Sequence, residues 1–178
     1  MMIRLKRELE GSILDIGGGG EGIVGKIYGS QVTAIDKLQE ELDEAPTGPR
    51  KLLMDATRMI FPDCCFDHVT SFFTLMYMSA EEQILAVREA FRVLKPGGRM
   101  HIWDAVIESA YPDPFFVELD IEAAGKRVHT TYGIIKTEAA QNMESVLRIC
   151  ESCGFVSLNT QEHDGLFSAC FEKLTSER

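Results

Sequence analysis

Short apolar runs alternate with stretches of helical spacing, a pattern that builds a parallel sheet with crossover helices. Ser12-Ile13-Leu14-Asp15-Ile16 reads as a buried strand ending in Gly17-Gly18-Gly19-Gly20, and Ile23 and Ile27 then fall at helical spacing. Residues 31–35 form a second strand ending at Asp36, residues 50–54 a third ending at Asp55, and residues 68–73 a fourth. Ser79 and Glu82 set up an S-x-x-E capping box, in which each side chain satisfies a free backbone N–H of the other. Ile84, Val87, Phe91 and Leu94 are the buried stripe of that helix, and Lys95-Pro96-Gly97-Gly98 stops it. Residues 99–106 return as a fifth strand. A helix over 138–153 stops at Gly154, and two strands follow, around 155–161 and 166–173. Their connection, Glu162-His163-Asp164-Gly165, is too short for a parallel crossover, so the last strand runs antiparallel to its partner.

One segment breaks the alternation. Val117, Leu119, Ile121 and Ala123 alternate with Glu118, Asp120, Glu122 and Ala124, and Gly125-Lys126 suits a type II′ hairpin turn. Folding back there pairs Ala123 with Val128, Ile121 with Thr130, Leu119 with Tyr132 and Val117 with Ile134 on one apolar face. The other face pairs Glu122 with His129 and Asp120 with Thr131. A helix from Asp113-Pro114 to Gly125 is the rival reading, but two β-patterned halves that agree on one turn favour the hairpin.

The chain of 178 residues is expected to form one domain over 1–178, with a core large enough to need no staples. It carries 28 acids against 18 bases, a formal net charge of −10. Capture of a nucleic-acid backbone or an anionic membrane depends on clustered Lys and Arg, so neither is an expected partner. Residues 101–178 hold 13 acids and 6 bases, so a substrate handled by that half is not expected to be a polyanion. The first ten residues lack a signal's apolar stretch, and no run is long enough to span a membrane. The five cysteines form no even disulfide framework. Cys150-x-x-Cys153 has metal-site spacing but no second pair, and Ala140, Met143, Leu147 and Cys150 share one helix face. The expectation is structural thiols, no metal and a reduced, cytoplasmic setting.

Ligands of an open parallel sheet bind beyond the carboxyl ends of its strands, where strand order reverses. Gly17, Gly18, Gly19, Asp36, Asp55 and the residues after Phe72 all fall at such ends. Glycines let backbone approach a ligand closely. Asp36 lies where an acid accepts from both ribose hydroxyls, and Asp55 is placed to accept from an adenine amino group. The set points to an adenosine-containing cofactor. Gly17-x-Gly19-x-x-Gly22 alone also matches the dinucleotide fingerprint of nicotinamide dehydrogenases.

The combination resembles the class I S-adenosylmethionine-dependent methyltransferases. Ile13-Leu14-Asp15-Ile16-Gly17-Gly18-Gly19 is similar to the family's first motif, and Val32-Thr33-Ala34-Ile35-Asp36 to its second strand. Met54-Asp55-Ala56, Phe61-Pro62-Asp63 and Phe66-Asp67 resemble the "D-A … F-P-D … F-D" stretch of small-molecule members. Arg92-Val93-Leu94-Lys95-Pro96-Gly97-Gly98-Arg99 matches the most specific motif of the set. The resemblance implies a Rossmann-like, doubly wound α/β sheet of about seven strands with an antiparallel last strand, here with a β-hairpin insertion around 115–135. It also implies S-adenosyl-L-methionine as cofactor. Gly17 to Gly19 would pass its methionine part and Asp15 would orient its amino group. Asp36, followed by Lys37, would hold the ribose, Asp55 and Ala56 the adenine edge, and backbone near Phe72 the amino group.

Two departures stand out. Gly20-Glu21-Gly22 replaces the usual single residue and glycine, which adds an acid to the loop. About ten residues precede Ser12, where such members often carry lid helices. Either the site is open, or the hairpin at 115–135 and a second subunit in a homodimer cover it, with the apolar face of Val117, Leu119, Ile121, Tyr132 and Ile134 as a candidate lid or dimer surface. Packing of that face on its own sheet edge is the competing reading. Tyr77 and Asp104 are weak catalytic candidates at the ends of the fourth and fifth strands, whereas His101 alternates inside a strand as a core residue would. The expected activity is methyl transfer to a small, neutral or cationic acceptor. The alternative is a cofactor-binding protein of the same fold that acts through an oligomeric or partner surface.

Overall fold

In the computed structural model, which describes residues 2–108, 114–123, 125–135 and 141–175, the alternating pattern becomes two sheets. The strands are β1 (Met2–Leu5), β2 (Ile13–Ile16), β3 (Val32–Asp36), β4 (Arg50–Leu53), β5 (Phe66–Phe72), β6 (Leu94–Ala105), β7 (Phe115–Ala123), β8 (Lys126–Ile134), β9 (Val156–His163) and β10 (Leu166–Glu172). The helices are α1 (Ile23–Tyr28), α2 (Gln39–Glu44), α3 (Ala80–Val93) and α4 (Met143–Ser152). The larger sheet has the order β4-β3-β2-β5-β6-β10-β9. Its strands run parallel from β4 to β6, while β10 is antiparallel to both β6 and β9, as the short connection requires. The chain builds outward from β2 to β4 and then crosses back to place β5 on the other side of β2. The order therefore reverses between β2 and β5, where a crevice opens.

β2 lies in the middle and is covered on both faces, which explains its unbroken burial. Leu14, Ile16, Val69, Met100, Ile102 and Phe171 pack with α3 and α4 on one side. Ile13, Val32, Ala34 and Phe72 pack on the other side with α1 and with Leu119 and Ile121 of the hairpin. α3 begins at Ser79 with both bonds of the capping box made, Glu82 N–H to Ser79 Oγ at 3.2 Å and Ser79 N–H to Glu82 Oε2 at 2.7 Å. Its buried stripe is rotated from the expected one. Gln83, Ala86, Val87, Ala90 and Val93 are buried, while Ile84 and Phe91 flank them. The last helix starts at Met143, capped by Asn142, and the expected residues 138–140 lie outside the described ones.

β7 and β8 form the expected hairpin, but its register differs by two residues. Ala123 faces Lys126, Ile121 faces Val128, Leu119 faces Thr130 and Val117 faces Tyr132. A shift of two preserves the side-chain faces, so the buried set survives the correction. Gly125 takes φ 75 as the residue just before β8 rather than opening the turn. β1 pairs parallel with β7, Ile3 facing Ile121, which makes a second sheet of order β1-β7-β8.

The crossover from β4 to β5 carries no helix and is tied down by Arg92. Its guanidinium donates to Glu89 twice at 2.8 Å, to Asp63 at 2.8 Å, and to the carbonyls of Phe61 at 2.7 Å and Met59 at 3.1 Å. Arg92→Ala should therefore cost about 2–3 kcal/mol, a partly exposed cluster being discounted from the buried value. Thermal unfolding should show a midpoint lower by roughly 5–10 °C. Arg92→Lys should recover less than half, because an ammonium lacks the planar fork; an unchanged midpoint in Arg92→Ala would remove this clamp from the account.

Candidate cofactor and acceptor site

A cavity of about 450 Å³ occupies the crevice at the carboxyl ends of the parallel strands. Of the residues selected from sequence, Asp15, Gly17, Gly19, Asp36, Lys37, Asp55, Ala56, Phe72 and Tyr77 line it. Gly18 does not. Its backbone N–H and that of Gly17 both donate to the carbonyl of Ile35, at 3.1 and 2.9 Å, and so fold the loop onto β3. Gly17 needs to be glycine for two reasons: its φ is 68, and a Cβ there would collide with the side chain of Thr74.

The three carboxylates at the strand ends differ in their surroundings. Asp15 is 3% exposed and accepts from the Thr70 hydroxyl at 2.7 Å. Burial pushes its carboxyl up to about 7 despite that bond, and the neighbouring Asp36 pushes the same way. Asp36 accepts from the Leu38 N–H at 3.0 Å through one oxygen. Asp55 accepts from the Thr57 N–H and hydroxyl, both at 2.8 Å, and these bonds hold its carboxyl below the usual range. Each thus keeps acceptor capacity toward the cavity.

Phe73 carries φ 50, a costly conformation for a bulky residue. It is held there by its N–H bond to the Trp103 carbonyl at 2.8 Å and by the ring of Tyr132, which stacks on it at 4.9 Å and 16°. Tyr132 reaches the cavity from β8, so the hairpin covers this side of the site as well as packing against the larger sheet and α1. Tyr77 ends a 3-10 turn at Leu75–Tyr77, and its hydroxyl accepts from the Gly133 N–H at 3.4 Å. Burial raises the Tyr77 phenol, which makes it a hydrogen-bond donor rather than a base.

Asp104 is not a wall of the cavity. It is fully buried and accepts from Ala105 N–H at 2.8 Å, Gln141 Nε2 at 2.9 Å and Met76 N–H at 3.3 Å. Gln83 completes the set, donating to the Leu75 carbonyl at 2.8 Å and to Gln141 Oε1 at 2.9 Å. Asp104 therefore holds the turn that carries Tyr77 and cannot touch a ligand in the cavity. His101 also lies away from the cavity, where it meets His68 at 3.3 Å, and burial pushes it down to about 4. Sequence reasoning passed over Glu41, Thr74, Met78 and Glu82, which also line the cavity. Glu82 was visible only as a helix cap.

A family model described as a methyltransferase domain matches residues 14–102, half of the chain, from β2 into β6. The chain belongs to the class I S-adenosylmethionine-dependent methyltransferases. Similar solved structures include a methyltransferase of this kind from Methanosarcina mazei, 21% identical, covering 93% of this chain and 94% of that one at a TM-score of 0.65. Another, from Aquifex aeolicus, is 21% identical and covers 92% and 82% at 0.65. The cyclase SpnF is 19% identical and covers 94% and 78% at 0.65. At such identities the likeness is one of fold, including the antiparallel strand within a seven-stranded sheet. Membership of the family implies binding of S-adenosylmethionine. The cavity's chemistry suits that cofactor, since acceptors at three strand ends face a ligand rich in donors and bearing positive charge.

Proposed function

We propose that the protein transfers a methyl group from S-adenosylmethionine to a small acceptor that is neutral or cationic. The observation that carries the charge argument is the lining of the cavity. Among the described residues it presents Asp15, Glu21, Asp36, Glu41, Asp55 and Glu82 against the single cation Lys37. An anionic acceptor would be repelled from such walls. In this reading the Gly17–Gly19 loop passes the methionine part, Asp15 holds the ammonium, Asp36 beside Lys37 holds the ribose, and Asp55 with Ala56 meets the adenine edge. Backbone near Phe72 adds a contact to the amino group. The cofactor supplies an electrophilic methyl group on its sulfonium. The chain's part is to align the acceptor and keep water out, with Tyr132 and Tyr77 as walls. A base is needed only for an acceptor that must lose a proton early.

Calorimetry with S-adenosylmethionine and S-adenosylhomocysteine tests the cofactor half. Both should bind, and Asp36→Ala should weaken both by about tenfold or more, the worth of one or two lost hydrogen bonds. Silence in both titrations sinks the proposal. The likeness in fold to the cyclase SpnF supports one second reading, a cofactor-binding protein without transferase activity. A methylated product from any acceptor excludes it, while cofactor binding without product across a broad panel would favour it.

A further inference from the structure

A second cavity of about 410 Å³ adjoins the first, within the size range of small-molecule sites. The two have Gly20, Glu21, Glu41, Tyr77 and Tyr132 in common, so a ligand in the second lies against the residues that bound the first. Strand β8 contributes Thr130 and Thr131, and α2 contributes Glu44.

The charges of this cavity are unbalanced in a specific way. Its lysine, Lys26, is already engaged by Glu21 at 2.5 Å. Glu41 and Glu44 stand three apart on α2 and so share a face. Neither carboxylate forms an ion pair among the described residues, whereas Glu21, Asp63, Asp67, Glu89 and Glu172 all do. Burial raises the Glu41 carboxyl above its usual range, and so do Asp36, Glu44 and Glu40 around it, the signature of repulsion that no cation relieves. The Tyr132 ring, pinned by Phe73, lines the same cavity as these acids. Carboxylates next to aromatic rings form a standard environment for an organic cation. A divalent metal is a poorer occupant, because no three His, Cys, Asp or Glu converge among the described residues.

We propose that the second cavity is the acceptor site and takes a small molecule bearing a protonated amine, its ammonium at Glu41 and Glu44 and its body against Tyr77 and Tyr132. This rests on the reading of the first cavity as the cofactor site. The threonine hydroxyls offer hydrogen bonds to polar groups further along the ligand.

An isosteric series tests it on the protein saturated with S-adenosylhomocysteine: diaminobutane, butanediol and succinate, followed by amide shifts in nuclear magnetic resonance. Diaminobutane should move Gly20, Thr130 and Thr131, with an affinity that falls as salt is added. Butanediol and succinate should leave them in place. Glu44 lines only the second cavity, so Glu44→Gln should weaken diaminobutane about tenfold and leave S-adenosylhomocysteine binding unchanged. Glu41→Gln with Glu44→Gln should remove the response. Equal shifts from butanediol, or diaminobutane binding indifferent to both substitutions, would overturn the assignment. If S-adenosylhomocysteine itself fails to bind, the cofactor reading falls and the acceptor assignment with it, whatever diaminobutane does.

Discussion

Replacing Asp15 with Asn should give a protein that melts higher above pH 7 yet binds S-adenosylhomocysteine poorly. The carboxyl sits fully buried and titrates near 7 rather than at its ordinary 3.8. A raised acid binds its proton more tightly in the folded state, so its contribution is fully present below pH 4 and is lost as pH rises through 7. At pH 8 the folded protein holds a desolvated anion with one hydroxyl partner, Thr70. Asn keeps that bond without the charge. The gain is bounded by the shift, on the order of 4 kcal/mol, or roughly 8–16 °C in midpoint for a chain of this size. Asp104, raised by burial to about 6, contributes with the same sign and leaves the variant a residual slope. Binding should move the other way. A ligand ammonium favours the ionised carboxylate, so wild-type affinity should fall by up to about tenfold per pH unit below 7. In Asp15→Asn it should be weak and nearly flat with pH. Melting curves and calorimetry from pH 5 to 8 check both halves; an unaltered pH slope in the variant would show that Asp15 is not the group responsible.

Much of the fold could be read from residue pattern because the pattern is local. The buried run at Ile13–Ile16, the box at Ser79 and Glu82, and the four-residue link before Leu166 each constrain their own element through nearest neighbours. The misses share the opposite property. Alternation along β7 and β8 has a period of two, so it sets which face is buried but leaves registers two residues apart nearly equivalent. β1 is only four residues long, and its partner Ile121 lies far along the chain. The signal at Ile3 and Leu5 was therefore too short to read. Asp104 stands at a strand end, as a catalytic group would, but the Leu75–Tyr77 turn and Gln141 close over it from distant parts of the sequence. α2 has one buried residue, Leu42, among acids. It reads as a solvated surface helix, which hid Glu41. Arg92, noticed as part of a family motif, turns out to be the clamp on the β4–β5 crossover.

Gly19→Ala should abolish most cofactor binding, and the reason differs from the usual one for a glycine loop. Gly19 does not have a positive φ, so alanine meets no conformational penalty there. The obstacle is space. A Cβ would stand 2.5 Å from Glu41 Cβ, 2.8 Å from Asp36 Oδ2 and 3.0 Å from the Glu41 carbonyl carbon. Two of these atoms belong to the backbone or its first side-chain carbon and cannot swing aside. The Gly20 N–H to Glu41 carbonyl bond, at 2.7 Å, holds α2 against the loop at the same point. Relief must therefore come from moving α2 or the loop, an overpacking cost of about 1–3 kcal/mol. Either movement displaces Asp36 and Glu41, both walls of the cavity. The loss in S-adenosylhomocysteine affinity should approach a hundredfold, roughly 2.7 kcal/mol. Gly165→Ala separates space from conformation. That glycine has φ 74 and open surroundings, so its substitution should lower stability by about 1–2 kcal/mol with no effect on binding. Calorimetry of the two variants side by side decides the matter. Wild-type affinity in Gly19→Ala would mean that α2 is free to shift and that the close approach at Gly19 plays no part in forming the site.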